Sequence, residues 1–212
     1  MVVPLTFAAL LRTCAPSVSP DTMRAIVAVE SGGNPYAIHD NTTERAYFPR
    51  SRRQAEAILA ATRSHNVDVG IAQVNAGWFP TFHVTATQML EPCRNLRIGS
   101  VILARAYRSA DASFPQPRAA LWHAISAYNT GSLYAGAGYV AEVVSAALSP
   151  PIVPSIALLT SSPADMVLTP QRSRSSTSRP PPAPAAPLVV YHARDRDGHV
   201  TSSGTSAEIH RF

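Results

Sequence analysis

Apolar positions recur at helical spacing through most of residues 1–148, and nearly every such stretch is bounded by a recognisable start or stop signal. Residues 4–13 read as a short amphipathic helix. Ser19-Pro20, followed by Asp21-Thr22, reads as an N-cap with proline in the first helical position. Met23, Ile26, Val27 and Val29 then mark one face, and Gly32-Gly33 stops the helix. Ser51 opens another, Gln54 completes its capping box, and Ala55, Ile58, Leu59 and Thr62 form its stripe. Thr85 with Gln88 caps a short helix that ends at Pro92. Residues 95–110 predict a longer helix with Leu96, Ile98, Ile102, Leu103 and Ala106 inward. Residues 118–128 and 139–148 complete the set. Strand signals are weak, and only residues 68–74 read as a short extended or irregular piece. The expected fold is a mostly α domain over 1–148.

The pattern then breaks. Residues 149–187 hold most of the prolines, including Pro180-Pro181-Pro182, and a Ser/Arg run over 172–179. This composition predicts an extended, disordered linker, with apolar patches at 152–159 and 166–168. In residues 188–212 two apolar runs flank Asp197-Gly198, which predicts a β-hairpin tail. The echo of a calcium loop at Asp195-Arg-Asp197-Gly198 is incomplete and reads as a turn. A lone hairpin is marginal in water, so the tail is expected to order on a partner.

Composition narrows the function. Of 212 residues 46% are hydrophobic, so a core can be built, while only 15% are charged. The formal charge is +5, and every basic residue is arginine. No basic run is interleaved with aromatics, so nothing points to nucleic acid. No stretch is long enough to span a membrane. The apolar residues 2–11 have no basic residue ahead of them and no small-x-small cleavage site after them, so no export signal is evident. Cys14 and Cys93 are either free thiols or a disulfide. As a disulfide they would close a loop of about 80 residues, worth roughly 4–5 kcal/mol on the chain-entropy model. His39, His65, His83 and His123 lack metal-ligand spacing. There is no zinc pattern, phosphate-binding glycine loop or nucleophile elbow, and no metal or cofactor is expected.

Three segments carry chemistry. Glu30 ends an apolar helix just before its glycine stop. A glutamate there is ordinarily solvated or salt-bridged. The field at a helix C-terminus opposes its charge, which helps the carboxyl keep a proton and serve as a general acid. Ser31 beside it is either a capping residue or a ligand for a sugar substituent. Gln73 and Asn75 stand in the otherwise apolar Gly70-Ile-Ala-Gln73-Val-Asn75. They are either surface amides or groove residues that meet hydroxyl and acetamido groups. Asp68, just upstream, reads as a structural cap. Tyr128 and Asn129 close a helix before Thr130-Gly131, and a phenol there could orient Glu30. Tyr139 begins the last helix and could line the same cleft. Trp78 and Phe79 suit either sugar stacking or core packing, and Trp122 reads as core.

In their order and spacing, Glu30-Ser31, Gly70-Ile-Ala-Gln73-Val-Asn75, Ala127-Tyr128-Asn129-Thr-Gly131 and Gly138-Tyr139-Val140 resemble the soluble lytic transglycosylase domain. The resemblance is closer to the VirB-type branch attached to type IV secretion and conjugation systems. Cys14-Ala-Pro, Ala37-Ile38-His39-Asp40-Asn41 and Glu91-Pro-Cys93-Arg-Asn95-Leu96 resemble that branch too. The likeness covers roughly residues 5–147. It implies a goose-lysozyme-like domain with a saccharide groove between two lobes. It implies cleavage of the MurNAc-β-1,4-GlcNAc bond of peptidoglycan without water, leaving a 1,6-anhydromuramyl end. Glu30 would be acid and then base, helped by the substrate's own acetamido group, one of the substrate-assisted exceptions to the two-carboxylate scheme. Gln73 and Asn75 would line the groove, Tyr128 would sit beside Glu30, and Ser31, Asn129 and Tyr139 would frame the site. It also implies a Cys14–Cys93 disulfide, a periplasmic location, and secretion subunits met through the tail. Two departures stand out. Ala72 replaces the commoner methionine and is expected to leave room in the groove, and Gly33 is expected to loosen the turn after Glu30.

Two other functions fit the same residues. A hydrolytic muramidase would need a second carboxylate, for which Asp40, Glu44 and Asp68 are available. A glycan-binding docking protein would draw on the linker and tail.

Overall fold

Thr6 accepts the Ala9 amide on its hydroxyl and so starts the first helix, α1 (Phe7–Cys14), at the edge of the computed structural model, which describes residues 6–149. Proline at the first position begins α2 (Pro20–Ser31), although the Ser19 side chain makes no cap bond. The helix ends where expected, at two successive glycines with φ of 60° and 85°. Both angles lie in the left-handed region that favours glycine. Gly33 is buried and donates its N–H to Ser31 Oγ at 3.1 Å. The second glycine therefore fixes the turn rather than loosening it.

A small antiparallel sheet follows, most of which the sequence pattern did not announce. It comprises β1 (Ile38–Asp40), β2 (Arg45–Tyr47), β3 (Val67–Val69) and β4 (Val74–Asn75), in the order β2-β1-β3-β4. Only β3 and β4 overlap the segment, 68–74, expected to be extended. Ile38 faces Val69, His39 faces Asp68 and Asp40 faces Val67 across β1 and β3. Ile38, Asp40, Val67 and Val69 are buried while His39 and Asp68 turn outward, as a two-residue period requires.

Between β2 and β3 lies α3 (Arg52–Ala61). Ser51 Oγ accepts the Gln54 amide, and Gln54 Oε1 accepts the Arg50 N–H at 2.9 Å, so the box closes one residue earlier than the usual pattern. After β4 come a 3-10 turn at Ala76–Trp78 and the short α4 (Phe79–Phe82). Thr85 and Gln88 cap each other reciprocally. The long helix α5 (Pro92–Asp111) starts earlier than expected, because Glu91 accepts the amides of Cys93 at 2.9 Å and Arg94 at 2.7 Å. Then come α6 (Pro117–Thr130) and α7 (Ala137–Leu148).

Two cores result. Leu11, Met23, Ile26, Val27, Leu96, Leu103, Ile125 and Val143 fill a helical lobe. Ile38, Leu59, Val67, Val69, Met89, Ile98 and Ile102 fill a sheet lobe. Successive faces of α5 serve both, and Tyr128 packs against both. Cys14 and Cys93 are joined in a disulfide, which ties α1 to the first turn of α5. Trp122 departs from expectation and is 44% exposed, with the Arg118 guanidinium over its ring. α6 buries Ala120, Ala124, Ile125 and Ala127 instead, so the indole falls on the outer face. No helix among the described residues is long and apolar enough to cross a membrane. The linker and hairpin expected over 149–187 and 188–212 lie outside the described residues, apart from Ser149.

Candidate functional site

Glu30 occupies the last turn of α2, where the helix meets the start of α7. Tyr139, in the first turn of α7 and 9% exposed, donates its hydroxyl to Glu30 Oε1 at 2.5 Å. At the far end of the same helix pair, the Arg24 guanidinium donates to the carbonyls of Ala146 at 3.3 Å and Ala147 at 3.0 Å. Arg24 thus satisfies two orphan carbonyls of the α7 C-terminus. The two clamps hold α2 and α7 antiparallel and fix the carboxyl against the phenol.

The turn at residues 70–73 packs against the end of α2 that carries Glu30. Gly70 has φ 87° and Gln73 has φ 46°. A Cβ on Gly70 would lie 2.6 Å from the Met89 carbonyl oxygen, so glycine is required there. Ser31 Oγ donates to Ile71 O at 2.7 Å and, more weakly, to Val27 O at 3.3 Å. Its single hydrogen therefore ties α2 to the turn and is not offered to a sugar. Gln73 spends both amide hydrogens on backbone, on Ala37 O at 2.9 Å and Gly70 O at 2.8 Å. Its Oε1 is the atom left to meet a ligand, and it reads a donor. Ala72 is fully buried, with its methyl facing Gly99 of α5. The alanine therefore admits α5 to the turn and does not enlarge the groove.

Asn75 is also committed. Its Oδ1 accepts the Gly77 N–H at 2.8 Å, and its Nδ2 donates to Asn66 Oδ1 at 3.0 Å and Asp68 Oδ1 at 2.7 Å. Asp68 Oδ2 accepts from Asn41 Nδ2 at 3.0 Å. Asp68 thus takes the structural part expected of it. Tyr128 donates its hydroxyl to Ala72 O at 2.7 Å. Burial of that hydroxyl, with the negative charges of Glu30 and Asp68, pushes its pKa well above the usual tyrosine value. It stays a neutral donor and braces the turn, while Tyr139 takes the contact with Glu30. Asn129 is half-buried at the end of α6 and makes no side-chain hydrogen bond among the described residues. Trp78 and Phe79 are half-buried and pack on the sheet lobe.

Among the described residues, the carboxylates considered as partners for Glu30 are otherwise engaged or exposed, and Asp68 is held by Asn75 and Asn41. Asp40 is fully buried. Its oxygens accept from the amides of Thr42 at 2.9 Å and Thr43 at 3.3 Å, and from the Thr43 hydroxyl at 2.7 Å, with His65 Nδ1 also at 2.7 Å. Burial raises its pKa, but the bonds from Thr43, His65 and the two amides outweigh that and bring it down to about 2. Glu44 is exposed on the β1–β2 loop. Among the described residues no group of three or more His, Cys, Asp or Glu could hold a metal ion.

Sequence reasoning gave Asn95 no part in holding the turn at 70–73. It is fully buried and bonded to Val69, Ala72 and Met89. The available signal was a single amide on a helix face otherwise made of leucine and isoleucine.

The family model of the transglycosylase SLT domain matches residues 8–137. The chain is 37% identical over 158 residues to the protein virB1 of Agrobacterium fabrum (strain C58 / ATCC 33970), covering 70% of this chain and 64% of that one. It is 40% identical over 151 residues to the type IV secretion system protein virB1 of Brucella abortus biovar 1 (strain 9-941), covering 66% and 63%. A protein virB1 of Rhizobium radiobacter is 37% identical over 149 residues, covering 68% and 61%. The chain thus spans just under two thirds of the length of these curated relatives. No solved structure matches it.

Proposed function

The chain belongs to the transglycosylase SLT-domain family, with its mostly helical, lysozyme-like fold, and from that membership we propose that it is a peptidoglycan lytic transglycosylase with Glu30 as its sole acid and base. The observation that carries the reading is the pairing of Glu30 with the Tyr139 phenol, with Asp40 sealed in its own hydrogen bonds.

The chemistry follows from that pairing. Tyr139 holds Oε1, so the working proton rides on Oε2. Glu30 gives this proton to the glycosidic oxygen as the bond from C1 of N-acetylmuramic acid breaks. The substrate's acetamido oxygen shares the positive charge at C1. Glu30, now a carboxylate that still accepts from Tyr139, takes the proton of the C6 hydroxyl. O6 then bonds to C1. Glu30 ends protonated, as it began, and no water is consumed. Gln73 Oε1 suits a hydroxyl or amide N–H of the sugar, and Asn129 offers an amide at the end of α6.

Residues 1–148 would form the catalytic domain, 149–187 a linker and 188–212 a tail for apparatus subunits. The type IV secretion name of the Brucella relative supports a role in locally opening the wall for such an apparatus. A disulfide suits an oxidising compartment such as the periplasm. The test is digestion of purified peptidoglycan by the full chain and by Glu30→Gln, with products read by mass spectrometry. Anhydro ends from the wild type alone support the proposal. Reducing ends would make the protein a muramidase. Glycan binding without cleavage would make it a docking protein.

A further inference from the structure

We propose that Asn95 is a positioning residue of the reaction, locking the site's turn against the Glu30 helix by stapling the two cores together. The proposal deepens the transglycosylase reading and rests on it.

The geometry is that of a hub. Asn95 Oδ1 accepts the Ala72 N–H at 2.8 Å, and Nδ2 donates to Val69 O at 2.7 Å and Met89 O at 3.0 Å. Ala72 belongs to the helical core, whereas Val69 and Met89 belong to the sheet core. One amide therefore bonds across the line where the chain crosses from one lobe to the other. That crossing is the turn at 70–73, which carries Gln73 and accepts from Ser31, the neighbour of Glu30.

Asn95 stands on α5 beside Leu96 and Ile98 and bonds three buried backbone groups. An apolar residue of similar volume would leave those groups without this partner, which is destabilising, and would release the one geometry the amide imposes on them. Asn95 thus serves stability and orientation together. Its counterpart is Tyr128, which holds the other end of the same peptide residue by donating to Ala72 O. Asn95 and Tyr128 thus grip Ala72 by its N–H and its carbonyl, and releasing either grip frees the residue.

The test compares full-chain wild type, Asn95→Ala, Tyr128→Phe, the double variant and Leu59→Ala, a sheet-core control on α3. Each is measured for kcat, KM, melting and amide hydrogen exchange at residues 69–75. The expected result is a kcat loss of about 10–100-fold for Asn95→Ala at assay temperatures where it is folded. The double variant should be no worse than the weaker single within about threefold, because the two act on one residue. Leu59→Ala should lower melting yet keep kcat. Exchange at Ala72 should rise in Asn95→Ala.

Multiplicative losses in the double variant, or full kcat in folded Asn95→Ala, would overturn the inference. Should Asn95→Ala not fold, Asn95→Asp carries the test. Its carboxyl, once protonated, can both accept from Ala72 and donate to one carbonyl, so its kcat relative to wild type should recover as pH falls. A ratio flat with pH counts against the proposal. A folded wild type without turnover would overturn the function and the positioning claim with it, whereas full kcat in folded Asn95→Ala beside an active wild type overturns the positioning claim alone.

Discussion

At the scale of residues, the proposed site turns on one carboxyl and two phenols with different contacts. Tyr139 touches the carboxyl and Tyr128 braces the backbone opposite. Tyr139→Phe removes a hydrogen bond to a charged acceptor, a kind worth about 1.5–3 kcal/mol. Because the carboxylate forms during turnover, kcat should fall by about 10–100-fold with KM little changed. Steady-state kinetics on defined glycan strands would check this, and an unchanged kcat would remove Tyr139 from the chemistry. Tyr128→Phe should behave differently. It frees the Ala72 carbonyl and so should cost both stability and rate.

At the scale of elements, the turn at 70–73 and the β1–β2 hairpin make separate predictions. Gly70→Ala forces a Cβ against the Met89 carbonyl at a φ of 87°. It should destabilise the fold by about 2–4 kcal/mol, measurable by denaturant titration. In the hairpin, the folded carboxyl of Asp40 titrates near 2, against an ordinary 3.8. Its contribution to stability is therefore complete above the ordinary value and is lost as pH falls through the folded one. Melting temperature should drop over that acid window in the wild type and much less in Asp40→Asn. The helices around these elements were legible because proline, serine and threonine starts and glycine stops frame a helical period. The strands of β1 and β2 were not, since three residues such as Ile38-His39-Asp40 cannot establish a two-residue period. The start of α5 was hidden because Glu91 is an uncommon cap. The roles proposed for Glu30, Gln73 and Tyr139 come from their motifs. Their contacts do not, because no local pattern announces a bond between residues 109 apart.

At the scale of the molecule, the two lobes meet along α5, and the Cys14–Cys93 disulfide anchors its first turn to α1. Reduction, or Cys14→Ser with Cys93→Ser, should cost about 2–5 kcal/mol. Calorimetry with and without reductant would detect it, and unchanged melting would mean that the bridge adds nothing to the fold. Because Cys93 and Glu91 flank the helix start that carries Asn95, activity should decline with the bridge before the protein unfolds. The proposed reaction is cleavage of peptidoglycan without water, by a single glutamate held by a phenol. The most direct measurement is the mass of the muropeptides released by the full chain and by Glu30→Gln. The account predicts ends one water lighter than hydrolysis would leave, produced by the wild type only. Reducing ends, or anhydro ends that persist in Glu30→Gln, would contradict it.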